Sequence, residues 1–133
     1  MTTAAVSGVG TVFKRETVTI AEINSVTGPS MVRQTIDVTS LDSTGGYREF
    51  ITGFRDPGTV VLNMNYKKQN YDVMMSDFEA AATVSYSIVL PDTGASQLDF
   101  EGLVTEMPLR IPTDDKITMD VTIKITGAVT FTS

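Results

Sequence analysis

Chemistry in this chain has to be carried by carboxylates, lysines or hydroxyl groups. There is no cysteine and no histidine. That removes thiol nucleophiles, disulfides, the usual base near pH 7 and the commonest metal ligand. Asp99 and Glu101 stand two residues apart. On a strand this puts both carboxylates on one face about 7 Å apart, a separation that glycoside-hydrolysing pairs use. Asp114-Asp115 offers a cation two of the several oxygen donors it needs. Lys67-Lys68 is a lone basic pair, far short of a nucleic-acid patch. Ser7-Gly8-Val9-Gly10 has the glycine spacing of neither phosphate fingerprint, and no strand leads into it. Each of these reads more simply as solvated charge or loose chain. The expectation is a protein that is not an enzyme and takes no cofactor or metal.

The element that dominates the chain is its last one, from Ile117 to Phe131. Ile117, Met119, Val121, Ile123, Ile125, Val129 and Phe131 alternate with Thr118, Asp120, Thr122, Lys124, Thr126 and Thr130. Period two points successive side chains to opposite faces, so this is a half-buried β-strand. At about 3.3 Å per residue it spans roughly 50 Å, against a usual strand of about 5–6 residues. Gly127 interrupts the alternation and marks a bend or bulge. The segment before it, Gln97 to Ile111, is also extended. Leu98 and Phe100 lie on one parity and Leu103, Met107, Leu109 and Ile111 on the other, which calls for a bulge at Gly102. The two long strands are consecutive and can pair as a hairpin.

Upstream, Thr11 to Lys14 and Val18 to Val26 read as strands, the second bulged because Ile20, Ile23 and Val26 keep no single parity. Thr27-Gly28-Pro29-Ser30 is a turn. Gln34 to Ser40 alternates with Ile36 and Val38 inward. Leu41-Asp42-Ser43-Thr44-Gly45-Gly46-Tyr47-Arg48-Glu49 mixes turn formers with an apolar Leu and Tyr. It fits a surface hairpin first, and an arm that reaches a neighbouring subunit second. Phe50 to Phe54 is a short strand, and Arg55 to Gly58 a turn. Val60, Leu62, Met64 and Tyr66 then share one strand face. Tyr71, Met74, Met75, Phe78, Ala81 and Ala82 fall at helical spacing after Asn70 as N-cap, with Asp72, Ser76, Asp77 and Glu79 opposite. The stripe reads as core. Val84, Tyr86, Ile88 and Leu90 resume period two.

The 133 residues suffice for one domain, taken as 1–133 with 1–10 a flexible arm. The fold class is mainly β: an antiparallel β-sandwich or partial barrel with one flanking α-helix and a long hairpin arm. The net charge is −6, which repels phosphates. No run is long enough for a membrane-spanning helix, and the first ten residues lack the basic and apolar regions of a secretory signal. No membrane partner is expected, and synthesis is placed in a cytoplasm.

Ile20 to Tyr66 resembles the major tail tube proteins of long non-contractile-tailed bacteriophages. The pieces that carry the resemblance are Ile20-Ala21-Glu22-Ile23, the Gly28-Pro29 turn, Ile36-Asp37-Val38-Thr39, and Gly53-Phe54-Arg55-Asp56 through Gly58-Thr59. Asn65-Tyr66, a single helix and closing long strands extend it over most of 11–131. The resemblance implies hexameric rings stacked into a hollow virion tail tube that conducts DNA without sequence-specific binding. It implies as partners the tape measure protein, the tail terminator and distal tail proteins, and a chain without the further C-terminal domain that some relatives carry. On that reading Asp99, Glu101, Asp120 and Lys124, opposite the apolar parity, become candidates to line the lumen, and Leu41 to Glu49 becomes a candidate interface arm. A contractile-tail or type VI secretion-like tube is the nearest alternative. A monomeric ligand-binding β-sandwich is the next, although the chain has no Trp to form an aromatic platform.

Overall fold

A computed structural model describes residues 5–133. Eight antiparallel strands form the main sheet, seven of them along one path. Those on the path are β1 (Val12–Arg15), β2 (Val18–Ile20), β3 (Ile23–Thr27), β6 (Thr59–Asn65), β7 (Val84–Val89), β8 (Gln97–Glu106) and β10 (Thr118–Thr132). Their order is β2-β1-β7-β8-β10-β6-β3, and β9 (Leu109–Arg110) pairs off this path with β10. β4 (Val32–Asp37) and β5 (Phe50–Asp56) form a separate two-stranded hairpin, and α1 (Lys68–Glu79) is the helix.

The sheet curls because its two edge strands are nearly one strand. β2 lies at one edge and β3 at the other, yet only Ala21 and Glu22 separate them. The chain turns there with Glu22 at φ 60°, a left-handed conformation that side chains usually avoid. The corner is tied down by Asn65 N–H to the Glu22 carbonyl at 3.0 Å and by the Asn70 amide to the Ala21 carbonyl at 2.9 Å. The single strand expected from Val18 to Val26 is thus two strands around a corner, where the chain leaves β1 and joins β6, and the expected bulge is the register shift of β3 against β6 between Ile23 and Ser25. Of sandwich and partial barrel, the structure takes the partial barrel.

The core fills the concave side. Val60, Leu62 and Met64 of β6 and Met119, Val121, Ile123 and Ile125 of β10 are buried in alternation, as their parity requires. Burying each such side chain contributes about 1.5–3 kcal/mol. Gly127 is the bend it was read to be. Its φ is +81°, and β10 shifts register against β8 between Thr126 and Thr130. Beyond it the alternation no longer reports burial, and Phe131 is 60% exposed.

Gly102 is not a parity change. Leu98, Phe100, Gly102 and Val104 all point inward, and the second register shift lies between Thr122 and Ile123. The glycine is there because β8 lies tightly against its neighbour β10 at this point. A Cβ would stand 2.5 Å from Ile123 Cγ2 and 2.9 Å from the Lys124 carbonyl oxygen. Ile36 and Val38 do not face the core either, since every residue of β4 is exposed. Tyr66 is partly exposed and leans on Tyr71. Of the expected 1–10 arm, residues 1–4 lie outside the described residues, and Thr11 N–H closes a turn onto the Gly8 carbonyl.

The helix is rotated relative to its apolar stripe. Met74 is buried and Tyr71 packs on the core, but Phe78 is 48% exposed and Ala81 and Ala82 are exposed. Asn70 and Asp77, from the polar positions, are buried instead. Asn70 is inside the helix, not its N-cap; Lys67 holds that position without a side-chain bond.

Candidate assembly surfaces

The expected hairpin is present, and it is longer than Leu41 to Glu49. β4 and β5 pair from Val32 opposite Asp56 to Asp37 opposite Phe50. Leu41 to Glu49 is only its tip. There Thr44–Gly46 makes one tight turn with Gly45 at φ 68° and Gly46 at φ 74°, which glycine adopts at little cost. The tip is held by its own polar groups. Arg48 reaches Asp37 at 2.9 Å, Ser43 Oγ donates to Glu49 at 2.9 Å, and Thr39 Oγ1 accepts the Glu49 N–H at 2.8 Å. The Thr39 hydroxyl, then its N–H and Arg48, hold the Asp37 carboxyl below its usual range. Large apolar groups are left outside along the whole arm: Met31, Val32, Ile51, Phe54 and Tyr47, with Leu41 fully exposed.

The convex face of the sheet is polar. Cross-strand pairing aligns Asp99 with Ser87, Glu101 with Ser85 and Thr126, and Asp120 with Asn63. Directly opposed residues of an antiparallel pair share a face. All four expected lumen residues therefore lie on this side, away from the core. Asp99 accepts from Ser87 Oγ at 2.7 Å and Gln97 Nε2 at 2.6 Å, and Asp120 from Asn63 Nδ2 at 2.6 Å. Asn24 continues the row by donating to Asn63 and Asn65. Lys124 contacts Asp56 at 3.2 Å. The Gly58 N–H and then Lys124 lower the Asp56 carboxyl. Lys14, opposite Ser87, shares this face. Among the described residues, Asp99 is held by a hydroxyl and an amide of the same face, and Glu101 stands opposite the hydroxyl residues Ser85 and Thr126.

Residues 7–132 match the family described as lambda phage tail tube protein. The chain belongs to that family. It is a structural tail tube subunit, and what it must present is surfaces to copies of itself. Solved structures with the same fold include a chain of the virion of a native gene transfer agent particle. That chain is 22% identical with a TM-score of 0.81, over 97% of this chain and 100% of that one. A chain from the tail of the empty particle, refined with C6 symmetry, is 22% identical with a TM-score of 0.68, over 86% and 85%. A chain of an extracellular contractile injection system sheath–tube complex is 13% identical with a TM-score of 0.77, over 98% and 93%. No match is found among curated proteins.

One group in this tail tube subunit escaped the sequence. Arg15 on β1 grips Asp77 of α1 side-on, with Nε to Oδ2 at 2.7 Å and Nη2 to Oδ1 at 2.6 Å. Tyr86 Oη donates to the same Oδ2 at 2.8 Å. Burial first, then Asp77, pushes the Tyr86 hydroxyl well above its ordinary range. The trio locks the helix onto the curled sheet and sets the helix rotation. Phe13 and Phe100 flank the Tyr86 ring at 5.6 and 6.0 Å between centroids. Asp77 sat on the polar parity of the helix, and its partners come from 62 and 9 residues away. Its one trace in the sequence is Arg15, a charge ending an otherwise apolar, core-facing parity.

Proposed function

We propose that six copies close into a ring, and that rings stack into a hollow tube through which DNA passes during ejection. In this tube the convex polar face carrying Asp99, Glu101, Asp120 and Lys124 lines the lumen, and the Leu41 to Glu49 tip engages a neighbouring subunit. The observation that carries the reading is the division of the surface. One continuous face is polar and hydrogen-bonded to itself, while exposed apolar groups crowd onto a projecting arm. A monomer rarely leaves such a patch uncovered, which argues against a solitary ligand-binding domain. A channel for DNA must avoid binding it. Lys124 is neutralised by Asp56, so carboxylates dominate the face. The six-fold refinement of a similar gene transfer agent tail supports the ring. Similar chains at a sheath/tube terminator and a tube-terminating cap support capping partners at the tube ends. A tape measure protein inside, distal tail proteins below, and assembly in the host cytoplasm complete the proposal.

The chain has no native cysteine, so a single Glu101→Cys probes the lumen in assembled tubes. A small maleimide should label it fully, and a polymer-linked maleimide too wide for the channel should label only subunits near the ends. Equal reaction with both reagents would place Glu101 on the exterior and reject the lumen assignment. Electron microscopy of the same tubes should show six-fold rings.

A further inference from the structure

The hairpin leaves the barrel without breaking strand register. In the barrel, Ser25 and Thr27 of β3 stand opposite Asn63 and Val61 of β6. In the hairpin, Val32 and Arg33 of β4 stand opposite Asp56 and Arg55 of β5. Four residues on each strand, 28–31 and 57–60, lie between the pairs Thr27–Val61 and Val32–Asp56, so neither strand gains a residue on the way out. The same count sets Gly28 opposite Val60 and Ser30 opposite Gly58. The backbones meet there as the count requires. A Cβ on Gly28 would lie 3.2 Å from Val60 Cα and collide with the Thr59 carbonyl oxygen, and one on Gly58 would collide with the Ser30 carbonyl oxygen. β3–β4 and β5–β6 are thus the two sides of one ribbon. It bends at these glycines, whose φ angles of +108° and +78° a side chain would strain as well as block.

A bend in a two-stranded ribbon is a hinge unless something holds it, and a lone hairpin is only marginally stable in water. This bend is held from β10. The Ile125 N–H donates to the Gly58 carbonyl at 3.1 Å, which carries the β10–β6 ladder one step past the pair Lys124–Thr59. The Gly58 N–H donates to Asp56 Oδ1 at 2.8 Å, and Lys124 Nζ reaches the same oxygen at 3.2 Å. We infer that the hairpin is a rigid extension of the barrel, aimed in one direction before the subunit meets any partner. Gly28 and Gly58 are its positioning residues, because they let the ribbon bend with its backbones in contact. Lys124 and Ile125 of β10 fix the angle of the bend. The inference deepens the tube reading and rests on it for its purpose: an arm that is already aimed loses little conformational freedom on association.

The test is made first on the unassembled subunit, so that its failure is distinct from failure of the tube reading, which electron microscopy of wild type reports. The chain has no native cysteine, and Thr52 on the hairpin and Ser85 on the barrel are both exposed. Thr52→Cys/Ser85→Cys, carrying two nitroxides, should give one narrow distance by pulsed electron paramagnetic resonance. The distance should stay the same when the labelled subunit is diluted into tubes of unlabelled chains. A broad or split distribution in the free subunit, or a shift on assembly, overturns the proposal, since neighbours would then aim the arm. Gly58→Ala in the same labelled chain should broaden the distance while the circular dichroism of the barrel strands is kept; an unchanged narrow distance overturns the role of the glycine. Should that variant not fold, amide exchange in the wild-type subunit decides. The Ile125 N–H should exchange as slowly as that of Ile123 in the middle of β10, and exchange faster by about tenfold or more would show that the root opens on its own.

Discussion

Removing the Asp77 carboxylate should loosen the helix from the sheet. Asp77→Ala deletes both bonds to Arg15 and the one from Tyr86. The Tyr86 ring is 1% exposed, so its hydroxyl is left without water or partner, at a cost of about 1–3 kcal/mol. Arg15 is different. Its side chain is 27% exposed and can rehydrate, so its share is about 1 kcal/mol, not the 3–5 of a fully buried broken pair. The total is about 2–4 kcal/mol, which for a chain of this size lowers Tm by roughly 10 °C. Urea unfolding of the unassembled subunit measures it. Tyr86→Phe alone should cost about 1–2 kcal/mol, since Asp77 keeps Arg15. The double variant should show a coupling of at least about 0.5 kcal/mol between the two positions. A loss under about 1 kcal/mol for Asp77→Ala, or strict additivity, would mean that apolar packing alone orients the helix.

Three further outcomes are open to the same measurement. Gly102→Ala should destabilise by about 1–3 kcal/mol, because its methyl group meets Ile123 and the Lys124 carbonyl of the neighbouring β10; a neutral result would show that the strands can part. Phe78→Ala should cost about 1 kcal/mol, well below the 3–5 of a buried Phe, because the ring is 48% exposed, and a larger loss would restore it to the core. Asp37, Asp56 and Asp92 all have folded values below the ordinary 3.8, Asp92 chiefly through the Ser96 hydroxyl. The folded state then binds fewer protons than the unfolded one, so their stabilisation is complete above pH 3.8 and is lost as pH falls through the depressed values. Urea midpoints traced downward from neutral pH should hold until the carboxylate range and then fall; a fall that begins near neutrality contradicts this assignment.

Much of the fold was legible because period two is a local signal. The inward set Met119, Val121, Ile123 and Ile125, the strand Val60 to Met64 and the bend at Gly127 follow from residue order alone, and the structure keeps them. The ordered pieces from Ile20 to Tyr66 also carried the tail tube resemblance, which the family match over 7–132 bears out. What the sequence could not hold is information about partners distant along the chain. Alternation in β4 says that one face is apolar, not what covers it. Ile36 and Val38 satisfy the pattern and stay exposed, because the hairpin leaves the sheet. Helical spacing put Phe78 inward, yet burial of a carboxylate between Arg15 and Tyr86 rotates the helix and turns Phe78 out. Glycine at 102 read as a change of face, whereas its cause is Ile123, a residue of another strand. The closing of the sheet was likewise decided in three dimensions. Two residues, Ala21 and Glu22, join the opposite edges of a seven-strand path, and only the tertiary structure shows that those edges meet.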